Sequence, residues 1–130
     1  MIQFEKHTLS NGLKVIVHED RSTPIAAMNI LYDVGARDED ADKTGFAHLF
    51  EHLMFGGSVN IPNYDEPLQN VGGENNAFTS NDITNYYLTL PAQNLETGFW
   101  LESDRMLSLA FSEKSLEVQR SVVIEEFRQR

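Results

Sequence analysis

Eleven residues constrain this chain more than any others: Gly45-Phe46-Ala47-His48-Leu49-Phe50-Glu51-His52-Leu53-Met54-Phe55. The run contains no proline and is followed by Gly56-Gly57, a pair suited to a helix C-cap. It predicts a helix from about Thr44 or Gly45 to Gly56. Phe46, Ala47, Leu49, Phe50, Leu53, Met54 and Phe55 surround the polar residues on most sides, and a helix apolar nearly all round is expected to be buried. Three ionisable groups carried inside with it need partners.

Helical spacing suggests what those partners are. His48 and His52 lie four residues apart and project from one face, one turn above the other. Two imidazoles so placed can share a tetrahedral zinc ion. Glu51 immediately precedes the second histidine, so its carboxylate can approach the same ion from the side and serve as general base toward water there. The order reverses the more familiar His-Glu-x-x-His. The competing reading is that two histidines fall at helical spacing by chance, beside an ordinary solvated glutamate.

The rest of the chain limits the choices. Its 130 residues suffice for one domain with a hydrophobic core. There is no cysteine, hence no disulfide and no thiolate ligand, so a zinc ion would have to be held by histidine and carboxylate. Ten basic residues against twenty acidic give a net charge of −10. Such a surface disfavours nucleic acid and membranes as partners and also serves solubility. No charged segment leads into a signal-type apolar run, and no apolar run approaches membrane-spanning length. By default the expected compartment is cytoplasmic.

Along the chain, Gln3 to Leu9 and Lys14 to His18 flank Ser10-Asn11-Gly12 and predict a β-hairpin. Ile25 to Val34 reads as a third strand. Gly35-Ala36-Arg37-Asp38-Glu39-Asp40 reads as a solvated charged loop. A short helix is expected from Asn63 to Val71 with Asn63 as N-cap, and two short strands around Asn81-Asp82. Helices from about Ala92 to Leu109 and from Ser112 onward complete an α+β domain, an antiparallel sheet packed against helices.

Catalytic zinc sites usually take three protein ligands plus water. The last helix offers Glu125 and Glu126. Wound at about 100° per residue, it gathers Leu116, Val122, Val123, Ile124 and Phe127 into one broad apolar sector. Glu126 falls inside that sector, where a carboxylate needs a counter-charge; Glu125 falls toward the polar side. Glu126 is therefore the better candidate ligand, and Gln119, two turns earlier on nearly the same line, could reach the site. The alternative pairs Glu126 with an arginine, Arg37 or Arg105.

Several blocks in order resemble the pitrilysin/insulinase family of inverted zincin metallopeptidases, which includes mitochondrial processing peptidase-like proteins. They are Leu9 to Val15, Val34 to Glu39, Gly45 to Ser58, Gly72-Gly73 with Asn76-Ala77-Phe78-Thr79 and Thr84 and Tyr86, and Gln119 to Glu126. The resemblance implies His48, His52 and Glu126 as zinc ligands and Glu51 as general base of an endopeptidase acting on peptides or small unfolded proteins. It also implies that Asn76, Ala77, Phe78 and Thr79 form an edge strand binding the substrate backbone. Phe78 would line a side-chain pocket, or else belong to the core. Gln119 stands where many members have a glutamate, an auxiliary acid outside the ligand set.

Family enzymes enclose substrate between related domains or paired subunits, the opposite half contributing an arginine and a tyrosine. Residues 1–130 are accordingly expected to be the N-terminal portion of the catalytic domain, cut inside the last helix and nearly inactive alone. Its expected partners are a peptide and a C-terminal half or partner subunit of such a chamber. The alternative is a non-catalytic or weakly active subunit of a peptidase heterodimer, against which stands the intact His48-x-x-Glu51-His52. A lyase with a similar histidine pair takes cysteine as third ligand, and this chain has none.

Overall fold

The computed structural model describes residues 2–129. The hairpin forms where Asn-Gly places it: β1 (Glu5–Thr8) pairs antiparallel with β2 (Lys14–Val17), Glu5 opposite Val17 and Thr8 opposite Lys14. Gly12 supplies the positive φ of 88° that the turn demands, and Asn11 Oδ1 accepts from the Leu13 amide. This two-stranded ribbon is separate from a second, three-stranded sheet.

In that second sheet β5 (Thr84–Pro91) is central, with β3 (Ile25–Tyr32) on one side and β4 (Glu74–Thr79) on the other, all antiparallel. Period-two alternation sends Met28, Leu88 and Asn75 to one face, together with Ile30, Tyr86 and Ala77 at the next register step. Leu88 and Leu90 on that face join Ile61, Tyr64, Leu68 and Leu101 in the core. Leu68, Leu88, Leu90 and Leu101 are completely enclosed, each adding about 1.5–3 kcal/mol of burial. The opposite face leaves Ile25, Leu31, Phe78 and Tyr87 exposed.

The helices cover the inner face. α1 (Phe46–Met54) carries the histidine pair, α2 (Asp65–Asn70) follows, and α3 (Leu95–Leu107) packs Gly98 against Met28 and Leu88. A 3₁₀ turn over Ala92–Asn94 replaces the expected first turn of α3. Asn63 acts just ahead of α2, its Oδ1 accepting from the Glu66 amide at 3.2 Å. α4 (Glu113–Gln129) begins after Ser112, whose Oγ accepts from the Ser115 amide as an N-cap should.

Three expectations need correction. β3 ends at Tyr32, short of the expected Val34, and the charged segment beyond it is largely exposed, as expected, but not a free loop. Ala36–Asp38 forms a 3₁₀ turn whose Arg37 reaches Asp33 at 2.7 Å and Asp82 at 3.1 Å. Gly35 admits no side chain there, since a Cβ would sit 2.6 Å from the Ser80 and Asn81 carbonyl oxygens. Second, α1 is only half sunk: Leu53 and Met54 are buried, whereas Phe46 and Phe50 remain exposed. Third, no α4 residue is buried, and Leu116, Val118, Val122, Ile124 and Phe127 are all exposed. The wheel located the apolar sector correctly, but a wheel carries no information about which sector meets a neighbour.

Candidate metal centre

α1 enters the site from a glycine. Gly45 sits at φ 94°, in the left-handed region, and has no side chain to cap the helix. Glu39 does it from six residues upstream, Oε2 accepting from the Gly45 amide at 2.8 Å and Oε1 from the Ala47 amide at 2.7 Å. A carboxylate suits that position, because the amides at a helix start lack intrahelical acceptors and carry the positive end of its dipole. An acid of the exposed charged segment is thus the clamp on the first turn of the histidine helix.

Four residues apart, His48 and His52 face α4, which crosses α1 and brings Glu126 to them. His48 Nε2 lies 3.1 Å from Glu126 Oε2, His52 Nε2 lies 3.6 Å from it, and the two Nε2 atoms are 3.2 Å apart. All three residues are partly buried. Bonds of about 2.0–2.1 Å to a tetrahedral ion place its ligand atoms roughly 3.3 Å from each other, so this triangle has the right size for zinc. The donor set is also right: two imidazole nitrogens and one carboxylate oxygen.

Neither arginine offered as an alternative partner competes for Glu126. Arg37 is taken up by the aspartates around it, and Arg105 is paired with Glu102. Glu125 bonds Arg128 on the exposed side of α4. Gln119 lies beside the second histidine, its Oε1 3.3 Å from His52 Nδ1. An amide oxygen only accepts, so this contact suits the tautomer with its proton on Nδ1 and its Nε2 lone pair toward the triangle.

Glu51, on the next edge of α1, stands outside the triangle and accepts a hydrogen bond from Thr79 Oγ1 at 2.5 Å. Thr79 ends β4, and β4 is an edge of the sheet. The Ala77 amide turns away from β5 and is met by its neighbour's side chain, Asn76 Oδ1 at 2.8 Å. Phe78 is exposed rather than part of the core. A cavity of about 370 Å³ lies on the far side of α1 from the histidines, lined by Tyr32, Phe46, Phe50, Met54 and Tyr86 among others.

Beneath the end of α1, Phe55 and Tyr86 pack together over a buried pair that the sequence reading missed. Arg105 donates to Glu102 at 2.7 and 2.8 Å, and Tyr64 Oη donates to Glu102 at 2.5 Å. The guanidinium lies 4.4 Å from the Tyr64 ring centre and 4.6 Å from that of Tyr86. Burial pushes the phenols of Tyr64 and Tyr86 up from their ordinary value, against the opposing effect of Arg105, so both stay neutral. The i, i+3 spacing of Glu102 and Arg105 was the one available signal.

Residues 14–129 match the family model "Insulinase (Peptidase family M16)". The chain belongs to the insulinase family. It is 38% identical over 129 residues to "Zinc protease PqqE" of Helicobacter pylori, covering 97% of this chain and 29% of that protein. The crystal structure of a protease from Helicobacter pylori superposes with a TM-score of 0.94 at 36% identity, over 100% of this chain and 32% of the other. That of pitrilysin gives 0.87 at 26% identity, over 97% and 14%. The insulinase-family chain described here therefore spans about a third or less of the length of these relatives. Among the described residues no helix is long and apolar enough to cross a membrane.

Proposed function

We propose that this chain supplies the N-terminal portion of the catalytic domain of a zinc endopeptidase, with His48, His52 and Glu126 as metal ligands and Glu51 as general base. The observation that carries the reading is the triangle of ligand atoms, with edges of 3.1, 3.2 and 3.6 Å, assembled from two helices far apart in sequence. When bound, zinc acidifies water and polarises the scissile carbonyl. Glu51 takes the proton from the attacking water on its carboxylate and passes it to the leaving amine. Gln119 holds the His52 ring in the ligating tautomer. The β4 edge from Asn76 to Thr79 takes an extended peptide as an added strand, with the Ala77 amide donating to it in place of Asn76 Oδ1. A second half, in the same protein or a partner subunit, would close the chamber over the peptide.

The test separates metal from chemistry. In the full-length protein carrying this chain, His48→Ala, His52→Ala and Glu126→Gln should each lose zinc by elemental analysis, while Glu125→Gln keeps it. Glu51→Gln should keep zinc and hydrolyse peptides about 10²-fold or more slowly. Zinc retained in Glu126→Gln would overturn the ligand set, and an active Glu51→Gln enzyme would overturn the mechanism.

A further inference from the structure

Thr79 belongs by sequence to the segment expected to bind substrate backbone, yet its side chain does something else. Along β4 the residues alternate, so Glu74, Asn76 and Phe78 face outward while Asn75, Ala77 and Thr79 turn toward the helices. Thr79 therefore points at α1, and its Oγ1 meets Glu51 Oε2 at 2.5 Å. Among the described residues no other donor bonds that carboxylate.

The direction of each proton follows from the groups involved. A carboxylate only accepts, so Thr79 donates to Glu51. A backbone carbonyl only accepts, so Thr84 Oγ1 donates to Val34 O, at 3.0 Å. Thr84 is buried directly opposite Thr79 in the register, with the two hydroxyl oxygens 3.5 Å apart. The Thr79 proton has two possible acceptors, and the shorter, charge-assisted bond to Glu51 takes it. Glu51 is thus held at one oxygen while the other stays free.

We infer that Thr79 is a positioning residue for the base: it fixes the Glu51 carboxylate to the strand whose edge receives the peptide. This inference rests on the reading of Glu51 as general base. Its consequence is mechanical. The strand that sets the register of an added peptide also sets where the proton acceptor stands, so backbone binding and proton transfer share one rigid support. A base displaced by about 1 Å costs up to 10² in rate, so the alignment is worth holding.

Thr79→Val, nearly isosteric and lacking the hydroxyl, and Thr79→Ser, which keeps it, should be made in the full-length protein. With zinc content unchanged, Thr79→Val should lower kcat about 10-fold with KM within twofold, since the backbone edge is intact. Thr79→Ser should restore kcat to within about threefold of wild type. Crystal structures provide a readout independent of turnover: the Glu51 carboxylate should leave its place beside β4 in the valine variant and keep it in the serine variant. An unmoved Glu51 with wild-type kcat, equal impairment of the two variants, or a loss confined to KM would each overturn the inference. A wild-type protein that cleaves no peptide, in which Thr79→Val still releases Glu51, would instead overturn the peptidase reading and leave the contact standing.

Discussion

Glu39 should govern how firmly α1 begins. The helix has nine residues, too few to be stable by propensity alone, and Gly45 brings no cap of its own. Removing a single N-cap side chain costs about 1 kcal/mol, within a range of roughly 0.5–2. Glu39 caps two amides with one carboxylate. Its charge opposite the helix dipole adds about 0.3–1 kcal/mol. Glu39→Ala should therefore cost about 2 kcal/mol of unfolding free energy. Glu39→Gln, which keeps one accepting oxygen but turns an N–H donor toward the other amide, should cost roughly half as much. His48 lies in the turn so capped, and fraying there reduces the fraction of molecules able to bind metal. The same 2 kcal/mol sets a ceiling of roughly 30-fold on the loss of zinc affinity. Urea unfolding and zinc competition against a chromophoric chelator measure both quantities. A Glu39→Ala variant within 0.5 kcal/mol of wild type by urea unfolding, with unchanged zinc affinity, would refute the capping argument.

Two further outcomes can be checked on the same material. Arg105→Met strands the buried Glu102 carboxylate with only the Tyr64 hydroxyl and should destabilise by about 3–5 kcal/mol, whereas adding Glu102→Leu should restore most of that; a double variant as unstable as the sum of the singles would sink the reading. Chelation should loosen α4: with free zinc at about a hundred times Kd, linkage supplies about 2.7 kcal/mol, so amide exchange over Glu113–Gln129 should quicken roughly 100-fold on metal removal. Exchange in α4 indifferent to the metal would show that something other than coordination holds it.

Much of this was legible from residue spacing, because spacing fixes local geometry. Asn11-Gly12 gave the hairpin, the four-residue interval of His48 and His52 put both rings on one face of α1, and alternation around Asn81-Asp82 gave β4 and β5. What spacing does not carry is where distant segments meet. Glu39 is an ordinary acid in a charged run until the fold returns that run to the helix start. Thr79 is one of four consecutive strand residues until the pleat turns it toward Glu51. The Arg105–Glu102 pair has a helical interval that usually marks a solvated surface pair, and only the enclosing rings of Tyr64 and Tyr86 reveal its burial.

Glu126 reaches the histidines for a reason other than the one helical spacing offered. The wheel placed it in an apolar sector and inferred a need for counter-charge, yet that sector is exposed along α4. The residues that are partly covered are Ser115, Gln119, Val123 and Glu126, at intervals of four, four and three. At 100° per residue they form a stripe about 80° wide, and it is this stripe that bears on α1. Only one of its members is apolar. Gln119 bonds His52, and Glu126 lies against both histidines. Hydrophobic burial along such a seam is slight, apart from Phe50 meeting Phe111 just ahead of α4. A seam of this kind brings a carboxylate against two imidazoles in a partly enclosed place, a donor set that suits a divalent cation. The polarity that makes α4 a poor packing helix is the same polarity that lets it present a carboxylate to the two histidines.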